Sequence, residues 1–322
     1  MKKIRWGILG PGNIANRFVE GLKVLAEAEL YAIGSRSKEK AEAFGEKYGV
    51  SKEKCYGSYE ELARDTNIDV IYVAVPHMFH KEHSIMCMKH GKAVLCEKPV
   101  AMNEDEIKEM VQAAEQNKVF FMEAMWSRFL PTAVLVRKWI TEGRIGETRM
   151  LQADFGFRSK WEPLSRLLNP ALGGGALLDV GIYVVSLSSF IFGEAPVKIN
   201  SMSWIGKSGV DEETIINLGY GKGRLSSLQC AVRTETPQNA YILGTEGRIC
   251  MPKFWGGERA TLYSHGEEEN VYLPFIANGF EYEISEVNQC INDGKLQSDI
   301  MSWKESIEIM KTLDSIKAQW DA

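Results

Sequence analysis

Short apolar segments alternate with amphipathic helical patterns through residues 1–124. Strand-length apolar segments cover residues 4–9, 29–34, 69–75, 93–96 and 119–123. The third and fourth are nearly continuous in aliphatic residues, which is typical of strands covered on both faces. Because strands that alternate with helices build parallel sheets with crossover helices, this pattern predicts a doubly wound α/β domain over residues 1–124.

Polar residues mark the predicted helix starts in this region. Ser37 can cap a helix that runs to about Tyr48. Ser58 with Glu61 forms a capping box, and Asn103 with Glu106 places an amide and an acid at the same spacing. Each crossover helix therefore has a local signal for where it begins.

The pattern changes after about residue 124. Helical spacing over 132–142 leads into a strand-like stretch at 147–157, and a second helix is predicted over 176–190. Residues 197–273 contain repeated strand-length segments between glycine-rich turns, which predicts a largely antiparallel sheet. Helical spacing returns at 280–291 and 303–318.

The predicted fold is therefore α/β, with two domains. Residues 1–124 are predicted to form a Rossmann domain, and residues 125–322 an α+β domain with a large, mostly antiparallel sheet. A length of 322 residues agrees with two domains, since roughly 150 residues per domain is usual. The pattern leaves open which domain the last helix packs against.

Composition restricts the class of partner. The chain has 38 Lys and Arg against 43 Asp and Glu, a net charge of −5, which disfavours a nucleic-acid binder. No segment approaches the ~20 apolar residues of a membrane span, and no apolar segment follows Lys2 and Lys3 as in a signal peptide. The 6 cysteines include no C-x-x-C pair, so we expect reduced thiols and a cytoplasmic protein that binds neither nucleic acid nor membrane.

A glycine motif joins the first predicted strand to the first helix. Gly10, Gly12, Asn13, Ile14 and Ala15 fit the pattern G-x-G-x-x-G/A. The first glycine permits a tight turn, the second lets the backbone approach a pyrophosphate, and the helix N-terminus offers free N–H groups to the anion. An ordinary glycine turn is the alternative, but the strand before and the helix after it favour dinucleotide binding.

The end of the second strand indicates which dinucleotide binds. An NAD site usually has an acid about 20 residues beyond the glycine motif, whereas this stretch contains Ser35 and Arg36 and no carboxylate. A guanidinium suits a 2′-phosphate, so NADP(H) is the preferred cofactor and NAD(H) remains possible. A solvated helix start is the alternative for these residues.

Ligands of open α/β sheets bind at the carboxyl ends of the strands. The fourth predicted strand ends in Glu97 and Lys98, and the third in Pro76 and His77, so these residues are candidates for the cofactor site. A metal site built from His77, His80 and the histidine at position 83 is not expected, because their spacing drifts around a helix. Lys98 alone could equally be a surface lysine.

A glycine run at 173–175 precedes a predicted helix that carries Asp179 and Tyr183. Four residues apart, the two side chains share one helix face. They could serve as catalytic groups. They could equally be a helix cap and a buried packing residue.

The glycine motif, Glu97-Lys98-Pro99 and the run from Gly173 to Tyr183 together resemble the Gfo/Idh/MocA oxidoreductase family over essentially the whole chain. Residues 122–131 are similar to the branch that contains dimeric dihydrodiol dehydrogenases and NADP-dependent xylose dehydrogenases. The resemblance implies that Lys98, Asp179 and Tyr183 converge beside the nicotinamide with His80 nearby. It also implies a homodimer, or a dimer of dimers, formed through the C-terminal sheet.

The same resemblance implies a substrate site. Its implied members are Trp126, Arg128, Phe155, Asp179, Tyr183, Trp255 and Phe280, although each of the aromatic residues could equally belong to the core. Tyr183 would exchange the hydroxyl proton, with Lys98 as the alternative proton-transfer group. A free tyrosine has a pKa near 10, and one ammonium about 4 Å away contributes about 4 kcal/mol, so Lys98 could activate it. Asp179 would orient the substrate hydroxyl or hold Lys98.

The expected function is hydride transfer between NADP and a secondary alcohol or carbonyl of a sugar, a cyclic diol or a dicarbonyl. One alternative is a non-catalytic NADP(H)-sensing regulator on the same fold, against which the retained Lys98, Asp179 and Tyr183 argue. Another is an oxidoreductase whose cofactor never leaves between half-reactions. No metal is expected.

Overall fold

The structure is a computed structural model that describes residues 3–320. The chain divides into two compact units. The first comprises the chain up to Ala101, Asp105–Trp126 and Ile276–Ser306, and the second comprises Met102–Glu104, Ser127–Phe275 and the chain from Ile307 onward.

Fourteen strands and nine α-helices are assigned within the described residues. The strands are β1 (Ile4–Leu9), β2 (Ala28–Gly34), β3 (Cys55–Tyr56), β4 (Val70–Val73), β5 (Ala93–Glu97), β6 (Phe121–Ala124), β7 (Thr148–Gly156), β8 (Lys198–Ile205), β9 (Asp211–Gly219), β10 (Leu225–Ala231), β11 (Asn239–Gly244), β12 (Gly247–Pro252), β13 (Arg259–Ser264) and β14 (Glu267–Tyr272). The helices are α1 (Asn13–Lys23), α2 (Lys38–Tyr48), α3 (Tyr59–Arg64), α4 (His80–Lys89), α5 (Glu104–Asn117), α6 (Pro131–Thr141), α7 (Ile182–Phe192), α8 (Phe280–Asn292) and α9 (Trp303–Lys317).

The first unit contains a six-stranded parallel sheet in the order β3-β2-β1-β4-β5-β6. The order reverses between β1 and β4, and doubly wound sheets bind their ligands in the crevice at this point. Every residue of β4 and β5 is buried, as the nearly continuous aliphatic pattern predicts. The predicted Rossmann domain is thus confirmed.

The local helix signals operate with one difference from the prediction. Ser37 Oγ accepts a hydrogen bond from the Lys40 amide at 3.2 Å, and Ser58 Oγ accepts one from the Glu61 amide at 3.1 Å. A capping box would return the Glu61 carboxylate to the Ser58 amide, but it accepts instead from the Gly57 amide at 3.2 Å. The strand β3 has only two residues, too few for a hydrophobic pattern to reveal it.

The division of the chain differs from the predicted boundary chiefly in Ile276–Ser306, which joins the first unit, while the short segment Met102–Glu104 joins the second. Its helix α8 packs on α1 and the parallel sheet. Trp6 Nε1 donates to Asn288 Oδ1 at 3.0 Å, and the rings of Phe18 and Phe280 lie 6.3 Å apart. An apolar helix face must be buried somewhere, and sequence spacing does not say against which sheet.

The second unit contains an eight-stranded sheet in the order β14-β13-β12-β11-β7-β10-β9-β8. Only the pair β7 and β10 is parallel among these strands, which confirms the mostly antiparallel prediction. A π-helix (Leu177–Gly181) followed by α7 packs against β7 and β10. This differs from the continuous α-helix predicted for 176–190.

Within residues 3–320, one helical stretch, Pro170–Phe192, is long and apolar enough to cross a membrane. Of its most apolar window, 94% is buried inside the structure. Its hydrophobic character therefore coincides with packing in the interior of the second unit.

Candidate active site

The turn between β1 and α1 has the conformation that a bound pyrophosphate requires. Gly10 has a φ of +94°, and a Cβ there would lie 2.9 Å from the Ala74 carbonyl oxygen. No atom lies within 4 Å of a Cβ placed on Gly12, so the space above the turn is open. The first turn of α1 contains no acid. Its N–H groups and the open space together suit an anion.

Two adjoining cavities continue from this turn in the first unit. The first has a volume of about 520 Å³ and is lined by Gly10, Pro11, Gly12, Ser35, Arg36, Ser37, Lys40, Tyr59, Ala74, Val75 and Pro76. The second has a volume of about 480 Å³ and is lined by Arg36, Gly57, Ser58, Tyr59, Val75, Pro76, Phe79, Glu82 and His83. Because they share several lining residues, the cavities form one groove along the carboxyl edge of β1, β2 and β4.

Arg36 lies at the junction of the two cavities. Its side chain is exposed, and it adjoins the Tyr59 hydroxyl, whose pKa is raised by burial and partly lowered by this guanidinium. Ser35 is buried and its Oγ accepts a hydrogen bond from the Ser37 amide at 3.3 Å. A guanidinium at the end of β2 is the group that a 2′-phosphate needs.

The second cavity has an aromatic wall that was not predicted from the sequence. The rings of Tyr59 and His83 lie 4.8 Å apart, and those of Phe79 and His83 lie 6.1 Å apart. His83 Nδ1 is buried with no hydrogen-bond partner in the described part of the chain, and burial lowers the pKa of this ring. An orphaned ring nitrogen between aromatic faces fits an adenine, which stacks and hydrogen-bonds. The dinucleotide therefore suits the residues present.

His80 links the ends of two strands of the parallel sheet. Its ring is fully buried, with Nδ1 2.8 Å from the Pro99 oxygen and Nε2 2.8 Å from the Val75 oxygen. Burial lowers its pKa to about 4. The His77 ring is also buried, 5.7 Å from that of His80. His80 thus fixes two turns of the groove, and the predicted cofactor contacts of Pro76, His77 and His80 stay predictions.

Glu97 lies at the end of β5, directly before Lys98. Its carboxylate accepts hydrogen bonds from the Tyr72 hydroxyl and, at 3.2 Å, from the Lys98 amide. Nearby, Glu283 on α8 is fully buried, and neither of its oxygens has a hydrogen-bond partner among residues 3–320. Burial, followed by the charge of Glu97, raises the pKa of Glu283 well above its usual range. Burial therefore favours the neutral carboxyl form of Glu283.

The predicted aromatic substrate residues form two separate pairs. In the first unit, Trp126 and Phe280 stack with ring centroids 4.9 Å apart, and the Arg17 guanidinium lies 5.8 Å and 5.4 Å from these centroids. In the second unit, Phe155 and Trp255 stack at 4.7 Å.

The second pair adjoins the candidate proton-transfer group. The Phe155 ring lies 5.4 Å from that of Tyr183. Trp255 Nε1 donates to Gln238 Oε1 at 3.0 Å, which fixes the indole. Phe155 and Tyr183 are only 7% exposed. A phenol bordered by stacked aromatic faces suits a substrate with an apolar ring face.

The glycine run before the π-helix is explained by close packing. Gly175 has a φ of +121°, and a Cβ there would lie 2.1 Å from Asp211 Oδ1. No other residue type fits this position. The wide π-helical turn that follows is a geometry often found at functional sites, and it carries Asp179.

Asp179 has a partner that sequence spacing did not indicate. Arg166 Nη1 donates to Asp179 Oδ1 at 2.7 Å. Asp179 is only 5% exposed, whereas 45% of the Arg166 side chain is exposed. A buried carboxylate requires a counter-ion. This requirement was the one available signal that a basic residue would lie near Asp179.

Arg128 is buried, and its guanidinium donates hydrogen bonds to Ser186 on α7. Its Nε donates to Ser186 Oγ at 2.8 Å and its Nη2 to the Ser186 oxygen at 2.9 Å. These bonds account for its burial. Its predicted contact with substrate stays a prediction.

Within residues 3–320, no three or more His, Cys, Asp or Glu side chains form a cluster that could hold a metal ion. His80 is occupied by two backbone oxygens.

The fold and the groove define a dinucleotide-binding oxidoreductase, and comparison with known proteins specifies which kind. Residues 4–125 match the oxidoreductase family with an NAD-binding Rossmann fold, and residues 134–250 match the GFO/IDH/MocA C-terminal domain. The chain belongs to the Gfo/Idh/MocA oxidoreductase family, as its motifs indicated. It is an NAD(P)-dependent oxidoreductase that acts on CH–OH groups.

Full-length relatives and solved structures agree with this assignment. The chain is 37% identical to mouse trans-1,2-dihydrobenzene-1,2-diol dehydrogenase, over 98% of this chain and 96% of that protein. In fold it is similar to an aldose-aldose oxidoreductase from Caulobacter crescentus complexed with glycerol (TM-score 0.90, 24% identity, 98% and 97% of the two chains). It is also similar to a 3-ketoreductase from Actinomadura kijaniata in complex with NADP and TDP-benzene (TM-score 0.87, 23% identity, 98% of each chain).

Proposed function

We propose that the protein is an NADP-dependent dehydrogenase that oxidises one secondary alcohol of a cyclic trans-diol and reduces the matching carbonyl in reverse. The observation that carries the proposal is the Phe155 and Trp255 stack beside Tyr183 in the second unit. Stacked aromatic rings favour the flat, apolar face of an unsaturated carbocycle. The 37% identical mouse relative is named for such a diol.

Arg36 supports the preference for NADP over NAD. It is exposed at the groove, and the residues that line the first cavity include no carboxylate that could take the ribose hydroxyl. Gly10, Gly12, Asn13 and Ile14 would hold the pyrophosphate through backbone amides. When bound, the nicotinamide supplies the acceptor for the hydride.

The residues of this chain handle the proton. Tyr183 takes the proton from the substrate hydroxyl as the C–H bond breaks, and returns it in the reverse direction. The Lys98 ammonium favours the ionised phenol. Asp179, held by Arg166, accepts a hydrogen bond from the hydroxyl and orients it.

Absorbance of NADPH tests the proposal directly. We expect multiple turnovers when the protein is mixed with NADP and trans-dihydrodiols, fewer with xylose or glucose, and a higher KM for the diol in Trp255→Ala. A single turnover per protein molecule, or purified protein that already carries one equivalent of bound nucleotide, would contradict this function. Turnover with sugars alone would retain the enzyme class and reject the diol.

We propose that the active form is a homodimer that pairs through the exposed face of the second sheet. Apolar side chains on this face include Met202 (71% exposed), Trp204 (67%) and Ile215 (47%). Met202 and Ile215 are cross-strand neighbours on β8 and β9, so they form a contiguous patch. A second copy of the chain would cover it. Sedimentation of Trp204→Arg should show a monomer where the wild type sediments as a dimer.

The buried, reduced cysteines accord with the proposed cytoplasmic location. Among the described residues all six are free thiols, and five are buried. Fractionation of cells that express the tagged protein would test the location.

A further inference from the structure

Asp211, the first residue of β9, has a buried carboxylate that contacts the start of the π-helix. Its Oδ2 accepts a hydrogen bond from the Leu177 amide at 2.6 Å and one from Thr214 Oγ1 at 3.3 Å. The residue is 6% exposed. Its Oδ1 occupies the position that a side chain at 175 would need.

The Leu177 amide is one of the N–H groups that a helix leaves without an internal partner. A carboxylate there forms a charge-assisted hydrogen bond and interacts favourably with the positive end of the helix. Leu177 lies two residues before Asp179, and the helix continues without interruption to Tyr183. Movement of this amide would therefore move both groups.

We propose that Asp211 is a positioning residue that anchors the first turn of the π-helix and thereby orients Asp179 and Tyr183 for proton transfer. The inference rests on the proposed function of those two residues. Gly175 is required because a Cβ would displace the carboxylate, which explains why the glycine run precedes the helix. A carboxylate that only stabilised β9 would not need to contact the backbone of another element.

The surroundings of Asp211 predict how this anchor depends on pH. The charged or titratable groups that face it are Lys317 on α9 and Cys230 on β10. Burial raises the pKa of Asp211 to about 6, although the Leu177 hydrogen bond and Lys317 act in the opposite direction. Burial raises the pKa of Cys230, which stays a thiol, and burial lowers that of Lys317. Protonation of Asp211 below about pH 6 should therefore weaken the anchor.

Asp211→Ala and Asp211→Asn test the proposal in the full-length protein. The alanine variant removes the acceptor, and we expect kcat to fall about 30-fold with little change in KM, because misplaced catalytic groups affect the chemical step. The asparagine variant retains an oxygen for the Leu177 amide but lacks the charge. Its kcat should be about fivefold below wild type at pH 8 and approach wild type at pH 5, where Asp211 is itself neutral.

Hydrogen exchange supplies a readout that needs no substrate. In Asp211→Ala the amides of residues 177–183 should exchange faster than in wild type, while those of β1 and α1 are unchanged. Glu194→Ala is the matched control, because Glu194 also accepts a backbone amide, that of Gly221 at 2.8 Å, but beyond the other end of α7. It should leave kcat and this exchange unaltered.

The outcomes are separable. Wild-type kcat in a folded Asp211→Ala protein, or a kcat ratio of Asp211→Asn to wild type that is constant between pH 5 and 8, would overturn the proposal. Unchanged exchange at 177–183 would overturn it too. If wild type turns over no alcohol, the proposed function fails, while the exchange data still decide whether Asp211 anchors the helix.

Discussion

The coenzyme groove and the proton-transfer region are built in different ways. The groove begins at a turn whose key residues, Gly10 and Gly12, are two positions apart and act through backbone conformation. In the second unit, Asp179 depends on Arg166, and the Leu177 amide depends on Asp211, 34 residues away. Backbone sites are encoded locally, whereas side-chain sites require contacts between distant segments.

The comparison predicts that substitutions in the two regions separate binding from chemistry. Lys98→Met has the largest expected effect: it removes the ammonium that we propose favours the ionised phenol, and kcat should fall about 1000-fold. The dissociation constant of NADPH, measured by fluorescence titration, should not change. Lys89→Met, at an exposed lysine of α4, is the control. Normal turnover in Lys98→Met would refute the assignment.

Arg166→Met should have the next largest effect. It leaves the buried Asp179 carboxylate without its guanidinium partner at 2.7 Å, so the carboxylate shifts or takes up a proton. We expect kcat to fall about 100-fold with unchanged nucleotide affinity, measured by steady-state kinetics and titration. Arg158→Met removes an exposed charge from the same loop and should behave as wild type. An equal loss in both variants would contradict a specific role for Arg166.

Arg36→Ala tests the groove itself. We expect the affinity for NADP to fall about 30-fold, since roughly 2 kcal/mol is typical of a hydrogen bond to a charged group, while the affinity for NAD is unchanged. Arg64→Ala removes an exposed arginine that pairs with Glu60 and should affect neither nucleotide. Tighter binding of NAD than NADP by the wild type would invalidate the argument from Arg36.

The smallest expected effects concern stability and have opposite signs in the two regions. The pKa of His80 in the folded protein, about 4, lies below the ordinary value of 6.5. The contribution of His80 to the free energy of unfolding is therefore complete above pH 6.5 and is lost as the pH falls toward 4. The folded pKa of Asp211, about 6, lies above the ordinary 3.8, so its contribution increases as the pH falls through 6.

When the pH falls from 7 to 5, the free energy of unfolding should decrease by about 2 kcal/mol through His80 and increase by about 1 kcal/mol through Asp211. Thermal unfolding midpoints should therefore decrease less on acidification in His80→Gln than in wild type, and more in Asp211→Asn. Changes of the same sign in both variants would show that one of the two pKa shifts is misassigned.

The sequence was sufficient to predict five of the six strands of the first sheet, because the signal of each of them is local. The strand β1 was predicted with its observed bounds, and Ser37 caps α2 as expected. The location of α8 was not predictable, because any apolar surface could bury its face, and only the fold shows Asn288 bonded to Trp6.

Motifs were enough to name the candidate residues of the site, whereas the residues that hold them in place could not be named from the sequence. The motifs supplied Lys98, Asp179 and Tyr183. The supporting residues Arg166, Gln238 and Asp211 belong to no motif, and their hydrogen bonds exist only because loops and strands distant in sequence are packed together. His83 was considered only as a metal ligand, although its buried Nδ1 lines the groove.

A crystal structure of the protein with NADPH tests the central claim most directly. We expect the pyrophosphate to lie against the Gly10 and Gly12 turn, with the 2′-phosphate at Arg36 and the adenine beside Tyr59 and His83. A nucleotide bound elsewhere, or no nucleotide at saturating NADPH, would contradict it.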